Sequence, residues 1–267
     1  MYKEDYHMHT NFSDDSRALM EDQIKKAISL GFDEIVITDH NESYPEEVEY
    51  SLSLDIEEYI NQFHMMKSKY GGEINLKLGV EIGYEARGKE VLGKFVNQYP
   101  FDFIICSLHS LEGEDFYFGT YFKGKTKKEA FTKYFEAVNQ CIHEFKEFNV
   151  FGHLDYINRY WPFADKELDY FNYKDIIDTI LKSLIENEKG IELNTSGIRY
   201  KLGHMHPQVE ILKRYKELGG EIITIGSDSH RPEDVGAYHD DARQILKDVG
   251  FKYFTTFTKR KPEFKLL

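Results

Sequence analysis

Residues 20–40 read MEDQIKKAISLGFDEIVITDH, and this stretch contains the unit from which the chain is built. Met20–Leu30 carries apolar residues at helical spacing, and Gly31 then marks the end of a helix. Glu34–Thr38 is a short run rich in Ile and Val, which is typical of a strand that is buried on both faces. The stretch therefore predicts a helix, a tight connection and a buried strand.

The same alternation of short apolar runs and helical patterns continues to the end of the chain. We predict strands at Asp5–His9, Glu34–Thr38, Leu76–Ile82, Phe103–Leu108, Val150–His153, Gly190–Leu193 and Glu221–Ile225, with an eighth candidate at Tyr253–Phe257. The helical patterns cover Met20–Leu30, Ile56–Tyr70, Val91–Gln98, Lys128–Phe148, Lys174–Glu188, Pro207–Leu218 and Ala237–Val249. Repeated strand–helix units favour an α/β fold with a parallel sheet closed into a TIM-like barrel. A doubly wound open sheet is the alternative, although no Gly-x-Gly-x-x-Gly motif follows the first strand.

Composition limits the class of protein. A chain of 267 residues that is 41% hydrophobic can bury a large core, which excludes a disordered or fibrous protein. We find no linker composition between the two halves and predict a single domain over residues 1–267. The formal net charge of −13 would repel phosphate backbones, so we expect neither nucleic-acid nor membrane binding. No leader-like segment or membrane-length apolar run is present, and we expect a cytoplasmic protein.

The positions of the histidines are the most informative feature. Six of the 11 His lie in or just beyond the end of a predicted strand, and two carboxylates occupy equivalent places: His7, His9, His40, His109, His153, His230, Glu81 and Asp228. In a parallel barrel these strand ends meet on one face. Any one such histidine is more often structural, but the collective pattern of imidazoles and carboxylates favours a site for Zn, Mn or Fe.

Local spacing adds detail to this hypothesis. His7 and His9 are two residues apart, so on a strand they would face the same side and could bind one ion together. Asp5 would share that face and could orient one of the two rings. Asp39 and Asp155 lie beside histidines but could equally cap the helices that follow.

The ordered motifs HMHTNFSDD, ITDHNE, GVEIG, SLHS, GHLDY and GSDSH resemble those of the polymerase and histidinol phosphatase (PHP) family. ELNTSGIRY and MHPQVEIL are similar to its histidinol-phosphate phosphatase branch. The resemblance covers almost the whole chain. It implies a distorted (β/α)7 barrel, which would place the eighth candidate strand outside the barrel, and a centre of two or three divalent metal ions.

The resemblance also implies a set of ligands. One ion would be held by His7, His9, Glu81 and Asp228, and Glu81 would bridge to a second ion held by His109 and His153. A third would be held by Asp15, His40 and His230. Asp14 is an adjacent competitor for Asp15, and either aspartate could instead cap the following helix.

Hydrolysis of a phosphate monoester is the reaction that such a centre favours. A water that bridges two ions would be deprotonated near neutral pH, and the resulting hydroxide could attack phosphorus. Asp228 or His230 could contribute a proton to the leaving alkoxide. The resemblance implies L-histidinol phosphate as the substrate, within histidine biosynthesis. Another small phosphate ester such as a nucleotide is an alternative, and so is an inactive metal-binding regulatory protein.

Cationic and aromatic side chains in two loops support a phosphate substrate. Arg159 follows the fifth predicted strand and Arg199 the sixth, so both should overhang the same barrel face, where guanidinium groups can bind phosphate. His206 belongs to the same cationic loop as Arg199, and Tyr117 could stack on an imidazole ring. Surface ion pairs and ordinary packing are the alternatives for these side chains. The pattern leaves monomer and homodimer open.

Overall fold

Seven parallel strands form a barrel in the computed structural model, which describes residues 2–42, 54–163 and 168–267. In chain order, the strands are β1 Glu4–Asp5, β2 Glu34–Ile37, β3 Asn75–Gly83, β4 Phe103–Ser107, β5 Val150–Phe151, β6 Gly190–Asn194 and β7 Ile223–Gly226. Each strand pairs with its neighbours in sequence order. The amide of Tyr6 donates to the carbonyl of Ile225 at 3.0 Å, and a parallel bridge joins Met8 to Ser229. These contacts bring the two ends of the sheet together, and they confirm the predicted barrel.

In the described ranges, seven helices of nine or more residues surround the barrel: α1 Met20–Ser29, α2 Ile56–Tyr70, α3 Lys89–Gln98, α4 Lys127–Glu144, α5 Tyr170–Glu186, α6 Val209–Glu217 and α7 His239–Val249. A capping box begins α4, where the Thr126 hydroxyl accepts from the amide of Glu129 and the Glu129 carboxylate accepts from that of Thr126. Gly31 lies in the connection between α1 and β2 and has a φ of 73°, which glycine adopts without strain. None of the helices in the described ranges is long and apolar enough to cross a bilayer.

Shorter elements lie between these, mostly at the end of the barrel where the strands finish. Two-residue strands are found at His40–Asn41, which pairs with β3, and at Ser110–Leu111 and Glu114–Asp115, which pair with each other. Short helices span Ile157–Tyr160 and Ser196–Arg199, and single 3-10 turns span Ala86–Gly88, Phe116–Phe118, Thr120–Phe122 and Pro232–Asp234.

The eighth candidate strand lies outside the barrel. It is β8, Tyr253–Thr258, and it forms an antiparallel hairpin with β9, Lys261–Leu266. Phe257 of β8 packs against the rings of Tyr6 and Phe103, with ring centroids 6.4 and 5.0 Å away. The hairpin therefore covers residues of the barrel sheet instead of extending that sheet, which confirms the seven-stranded expectation.

The first strand is shorter than its apolar pattern predicts. Regular pairing ends at Asp5, whereas the sequence predicts a strand to His9. Tyr6 packs with Phe103 of β4, in a cluster that also holds Ile105. The adjacent His7 reaches Glu81, which pairs in register with Ile105 and so lies on the same side of the sheet. Consecutive residues of a regular strand face opposite sides, so the backbone must leave regular geometry between Tyr6 and His7.

Candidate metal centre

All eight residues predicted at the strand ends converge on one end of the barrel. The two carboxylates and six imidazoles come from the segments that follow or end β1, β2, β3, β4, β5 and β7. Their ring and carboxylate atoms form a continuous chain of contacts from His230 to His153. Parallel strands that finish at one edge explain this convergence of residues that are up to about 220 positions apart.

The first group has the spacing of ligands around one ion. The Nε2 atoms of His7 and His9 lie 3.0 and 3.4 Å from Oε2 of Glu81, and 3.8 and 3.4 Å from Oδ1 of Asp228. Ligands bound at about 2.0–2.1 Å in a tetrahedron are about 3.4 Å apart. His9 Nε2 is buried and forms no hydrogen bond within the described residues. The arrangement fits a divalent cation better than a hydrogen-bonded cluster.

A second group shares Glu81 with the first. Oε1 of Glu81 lies 3.3 Å from Nε2 of His109 and 3.0 Å from Nε2 of His153, and those two nitrogens are 3.5 Å apart. Oε1 of Glu81 thus faces His109 and His153, whereas Oε2 faces His7 and His9. Nδ1 of His40 also lies 3.1 Å from Oε2. Ser107 donates a hydrogen bond to Oε1 at 2.6 Å and fixes the carboxylate between these histidines. This geometry would allow Glu81 to bridge two ions.

A third group surrounds Asp15. Its Oδ2 lies 2.9 Å from Nε2 of His230 and 3.7 Å from Nε2 of His40, and the rings of both histidines stack on that of His9. Asp14 and Asp15 are both exposed. Of the two, Asp15 is the aspartate whose carboxylate contacts the rings of His230 and His40.

Electrostatics in this cluster favour ionised carboxylates. Burial would raise the pKa of Glu81, but the imidazoles of His7, His109 and His40 outweigh it and hold that pKa well below its usual range. Burial lowers the pKa of His9, and the neighbouring His230 and His40 lower it further. Burial would lower the pKa of His7, but the carboxylates of Glu192 and Glu81 raise it, so a metal ion that binds there would replace a proton.

A second layer of buried acceptors holds the ligand rings, and sequence reasoning missed its main members. Oε1 of Glu192 lies 2.6 Å from Nδ1 of His7, and Glu42 contacts Nδ1 of His109. The signal available for Glu192 was a carboxylate in the middle of the apolar run GIELN. The signal available for Glu42 was its position in the motif ITDHNE, two residues after His40.

Asp5 does not orient either histidine ring, so that prediction is wrong. Its carboxylate accepts from the amides of Ser227 and Gly236, each at 2.9 Å, and from the backbone amide of His7 at 3.3 Å. The reason is the irregular backbone after Asp5, which removes His7 from the face that Asp5 occupies.

Asp39 and Asp155 also serve the site instead of capping the helices that follow them. Asp39 accepts from Thr10 and from Ser13, and the Ser13 hydroxyl is 3.2 Å from Nδ1 of His9. Asp155 contacts Nδ1 of the buried His206 and accepts from the amide of Gln208, at the start of α6. With His204, His206 and Asp155 form a further group close enough to hold a cation.

Both predicted arginines lie beside Asp228. Arg199 donates through Nη2 to the carbonyl oxygen of Asp228 at 2.8 Å, and Nη1 of Arg159 lies 3.6 Å from Oδ2 of the same residue. Nη1 of Arg199 and Nε of Arg159 are buried without a hydrogen-bond partner among the described residues. The guanidinium of Arg159 also stacks on Tyr200, 3.2 Å from the ring centroid. Two cationic groups with unused donors thus adjoin the cluster.

Of the two other predicted substrate-binding residues, Tyr117 lies at the surface and His206 is buried. Tyr117 is 69% exposed, and its ring meets that of Tyr160 edge-on, with centroids 6.1 Å apart. Tyr160 in turn flanks Arg159. His206 is fully buried, and its Nε2 has no hydrogen-bond partner among the described residues.

Known proteins resemble this chain over nearly its whole length. The family model described as the PHP domain matches residues 5–196. The histidinol-phosphatase of Lactococcus lactis is 34% identical, with 98% of this chain and 96% of that protein covered. A protein of Clostridium acetobutylicum, named probable histidinol-phosphatase, is 35% identical, with 93% and 94% covered. The crystal structure of the Lactococcus lactis histidinol phosphate phosphatase with zinc, L-histidinol and phosphate has a TM-score of 0.89 and 33% identity, covering 98% of both chains.

A parallel barrel that gathers histidines and carboxylates at its strand ends defines a metallohydrolase-like site. The chain belongs to the PHP domain family.

Proposed function

We propose that the protein hydrolyses L-histidinol phosphate to L-histidinol and phosphate, the step that serves histidine biosynthesis. The observation that carries the proposal is the pair of guanidinium groups with unused donors, Arg159 and Arg199, next to side chains at metal-ligand spacing. The similarity to a phosphatase whose crystal structure holds zinc, L-histidinol and phosphate supports the choice of substrate.

The metal centre of this proposal uses the three groups of side chains. His7, His9, Glu81 and Asp228 would hold one ion, Glu81 with His109 and His153 a second, and Asp15 with His40 and His230 a third. Divalent Zn, Mn or Fe would supply Lewis acidity that lowers the pKa of water and neutralises charge on a phosphate.

The chain's own residues would bind and orient the substrate. Arg159 and Arg199 would donate to oxygens of the phosphoryl group, and guanidinium groups are suited to this because they can bind two oxygens at once. The stacking of Arg159 on Tyr200 would fix the plane of its guanidinium group. Asp228 and His230 border these cations and are our candidates to accept a proton from the attacking water and pass it to the leaving alkoxide.

Tyr117 and His206 would provide the remaining contacts with the substrate. The exposed ring of Tyr117 offers a face for the imidazole of histidinol. His206, with Nδ1 held by Asp155 and Nε2 without a partner, would help to bind the polar part of the substrate.

Release of phosphate tests the proposal. The purified protein, freed of metal and reloaded with Zn, Mn or Fe, should release phosphate from L-histidinol phosphate much faster than from a panel of nucleotides. Equal, slow release from every ester would contradict the substrate assignment. A reloaded protein that binds metal but hydrolyses none of them would point to a regulatory role.

The proposal also covers the compartment, the oligomeric state and the binding partners of the protein. We propose a cytoplasmic protein that acts as a monomer or homodimer on a small molecule and does not bind nucleic acid. The net charge of −13 supports the last point, since it disfavours approach to a phosphate backbone.

A further inference from the structure

Glu192 is a buried carboxylate at the middle of β6. It is fully buried, and its two oxygens have different partners. Oε1 lies 2.6 Å from Nδ1 of His7, whereas Oε2 accepts from the backbone amide of His153 at 3.0 Å and from Nδ2 of Asn194 at 3.1 Å. A buried carboxylate is costly without hydrogen-bond donors, and three donors face Glu192.

A glycine in the neighbouring strand β7, Gly226, leaves the space that this carboxylate occupies. A Cβ on Gly226 of β7 would lie 2.2 Å from Oε1 of Glu192 and 2.5 Å from Cβ of His7. A Cβ on Gly152, just after β5, would lie 2.5 Å from the Ser107 hydroxyl and 3.5 Å from Oε2 of Glu192. Real Cβ atoms do not approach within 2.5 Å, so a side chain at Gly226 would displace Glu192 or His7, and a side chain at Gly152 would displace Ser107 or Ile105.

The partners of Glu192 belong to two different groups of the proposed metal centre. His7 is in the first group and His153 in the second. The backbone of His153 has a φ of 21°, outside the regions that non-glycine residues favour, and Glu192 holds its amide. One carboxylate thus contacts the ring of one candidate ligand and the strained backbone of another.

We propose that Glu192 is the positioning residue that couples the first two metal sites, an inference that rests on the proposed metal centre. Its Oε1 accepts the proton on Nδ1 of His7, which leaves the Nε2 lone pair directed at the side of Glu81 and Asp228. Its Oε2 fixes the backbone of His153, whose Nε2 lies 3.0 Å from Oε1 of Glu81.

An amide at this position cannot reproduce both contacts. If the NH2 group of a glutamine faces His7, it meets a ring nitrogen that should be donating a proton. If it is turned to the other side, it meets the donors of His153 and Asn194. Either orientation places two donors together, so the nearly isosteric Glu192→Gln should disturb one of the two metal sites.

Metal affinity tests the proposal without use of the substrate. Metal-free Glu192→Gln and wild-type protein are titrated with Co2+ in the presence of a competing chelator, and cobalt absorption reports each site. We expect affinity for at least one ion to fall by about 10- to 100-fold, the usual effect of removing an acceptor behind a ligating histidine. The rise in melting temperature on addition of Zn should fall with it.

Glu34→Gln is the matched control. Glu34 is also buried and accepts from the hydroxyls of Tyr6 and Tyr2, but it begins β2, at the opposite end of that strand from His40. Its replacement should lower the melting temperature of metal-free protein and leave Co2+ affinity unchanged. If Glu192→Gln does not fold, Glu192→Asp replaces it, because a shorter carboxylate cannot span both partners.

Wild-type Co2+ affinity at every site of the Glu192 variant would overturn the proposal. An equal loss of affinity in the Glu34 variant would also overturn it, since the effect would then belong to any buried carboxylate. Failure of the protein to hydrolyse L-histidinol phosphate would contradict the proposed function but would not alter either metal titration.

Discussion

Replacement of Arg199 by alanine tests the phosphate site most directly. In the structure, Nη2 of Arg199 donates to the carbonyl oxygen of Asp228 at 2.8 Å, and Nη1 is buried without a partner among the described residues. We propose that the unused donor binds the phosphoryl group, a contact that Arg199→Ala would remove.

The size of the effect follows from the kind of contact that is lost. A hydrogen bond to a charged group contributes about 1.5–3 kcal/mol. At 1.4 kcal/mol for each tenfold change, KM should rise by roughly 10- to 100-fold. The loss in kcat should be smaller, because the amide of Asp228 still donates to the carbonyl of His7 at 2.8 Å and keeps this segment in place.

Steady-state phosphate release gives kcat and KM, and inhibition by inorganic phosphate reports the same contact without turnover. The inhibition constant for phosphate should rise by about the same factor as KM. Arg214→Ala is the control: Arg214 of α6 pairs with Asp178 of α5 and with Glu217, so its replacement should leave both constants unchanged. Values of KM and phosphate inhibition within about twofold of wild type would refute the assigned role of Arg199.

Four other outcomes follow from the structure. His9→Ala should abolish turnover, measured as phosphate release, and should lower the content of bound metal after dialysis, because Nε2 contacts both Glu81 and Asp228. Asp15→Asn should weaken binding of one ion in a chelator titration, whereas Asp14→Asn should match wild type; the reverse result would reassign the third site. Removal of metal by a chelator should lower the melting temperature, since buried carboxylates would lose their cations, and an unchanged melting curve would count against a metal centre. Phe257→Ala should destabilise the fold by about 3–5 kcal/mol in denaturant unfolding, because its buried ring covers Tyr6 and Phe103; a loss under about 1 kcal/mol would contradict this packing.

The positions of the proposed ligands could be predicted because they depend on strand ends. His40 and His109 follow short runs of Ile, Val and Phe whose boundaries are visible in the sequence, and parallel pairing then determines where they meet. The boundaries of β1 could not be predicted in this way. After Asp5 the backbone of the first strand contacts Ile225 and Ser229, more than 200 residues further along the chain. The local sequence around Asp5 contains no information about these contacts.

The acceptors behind the ligands were harder to predict for the same reason. Glu192 and His7 are 185 residues apart, and their contact depends on the register of β6 with β7 and on space left by Gly226. A buried carboxylate in an apolar strand indicates that a partner exists, but it does not indicate which one. Long-range register is therefore the information that sequence reasoning lacked.

Net charge is a poor guide to the ligand of this protein, because the charges that matter are local. A formal charge of −13 disfavours an anionic substrate at long range, yet part of the excess is concentrated in buried carboxylates such as Glu81, Asp228 and Glu192. Two or three divalent ions would add four to six positive charges beside them, and Arg159 and Arg199 lie at the same place. The acidic residues would then be the means by which the protein creates a cationic site for a phosphate.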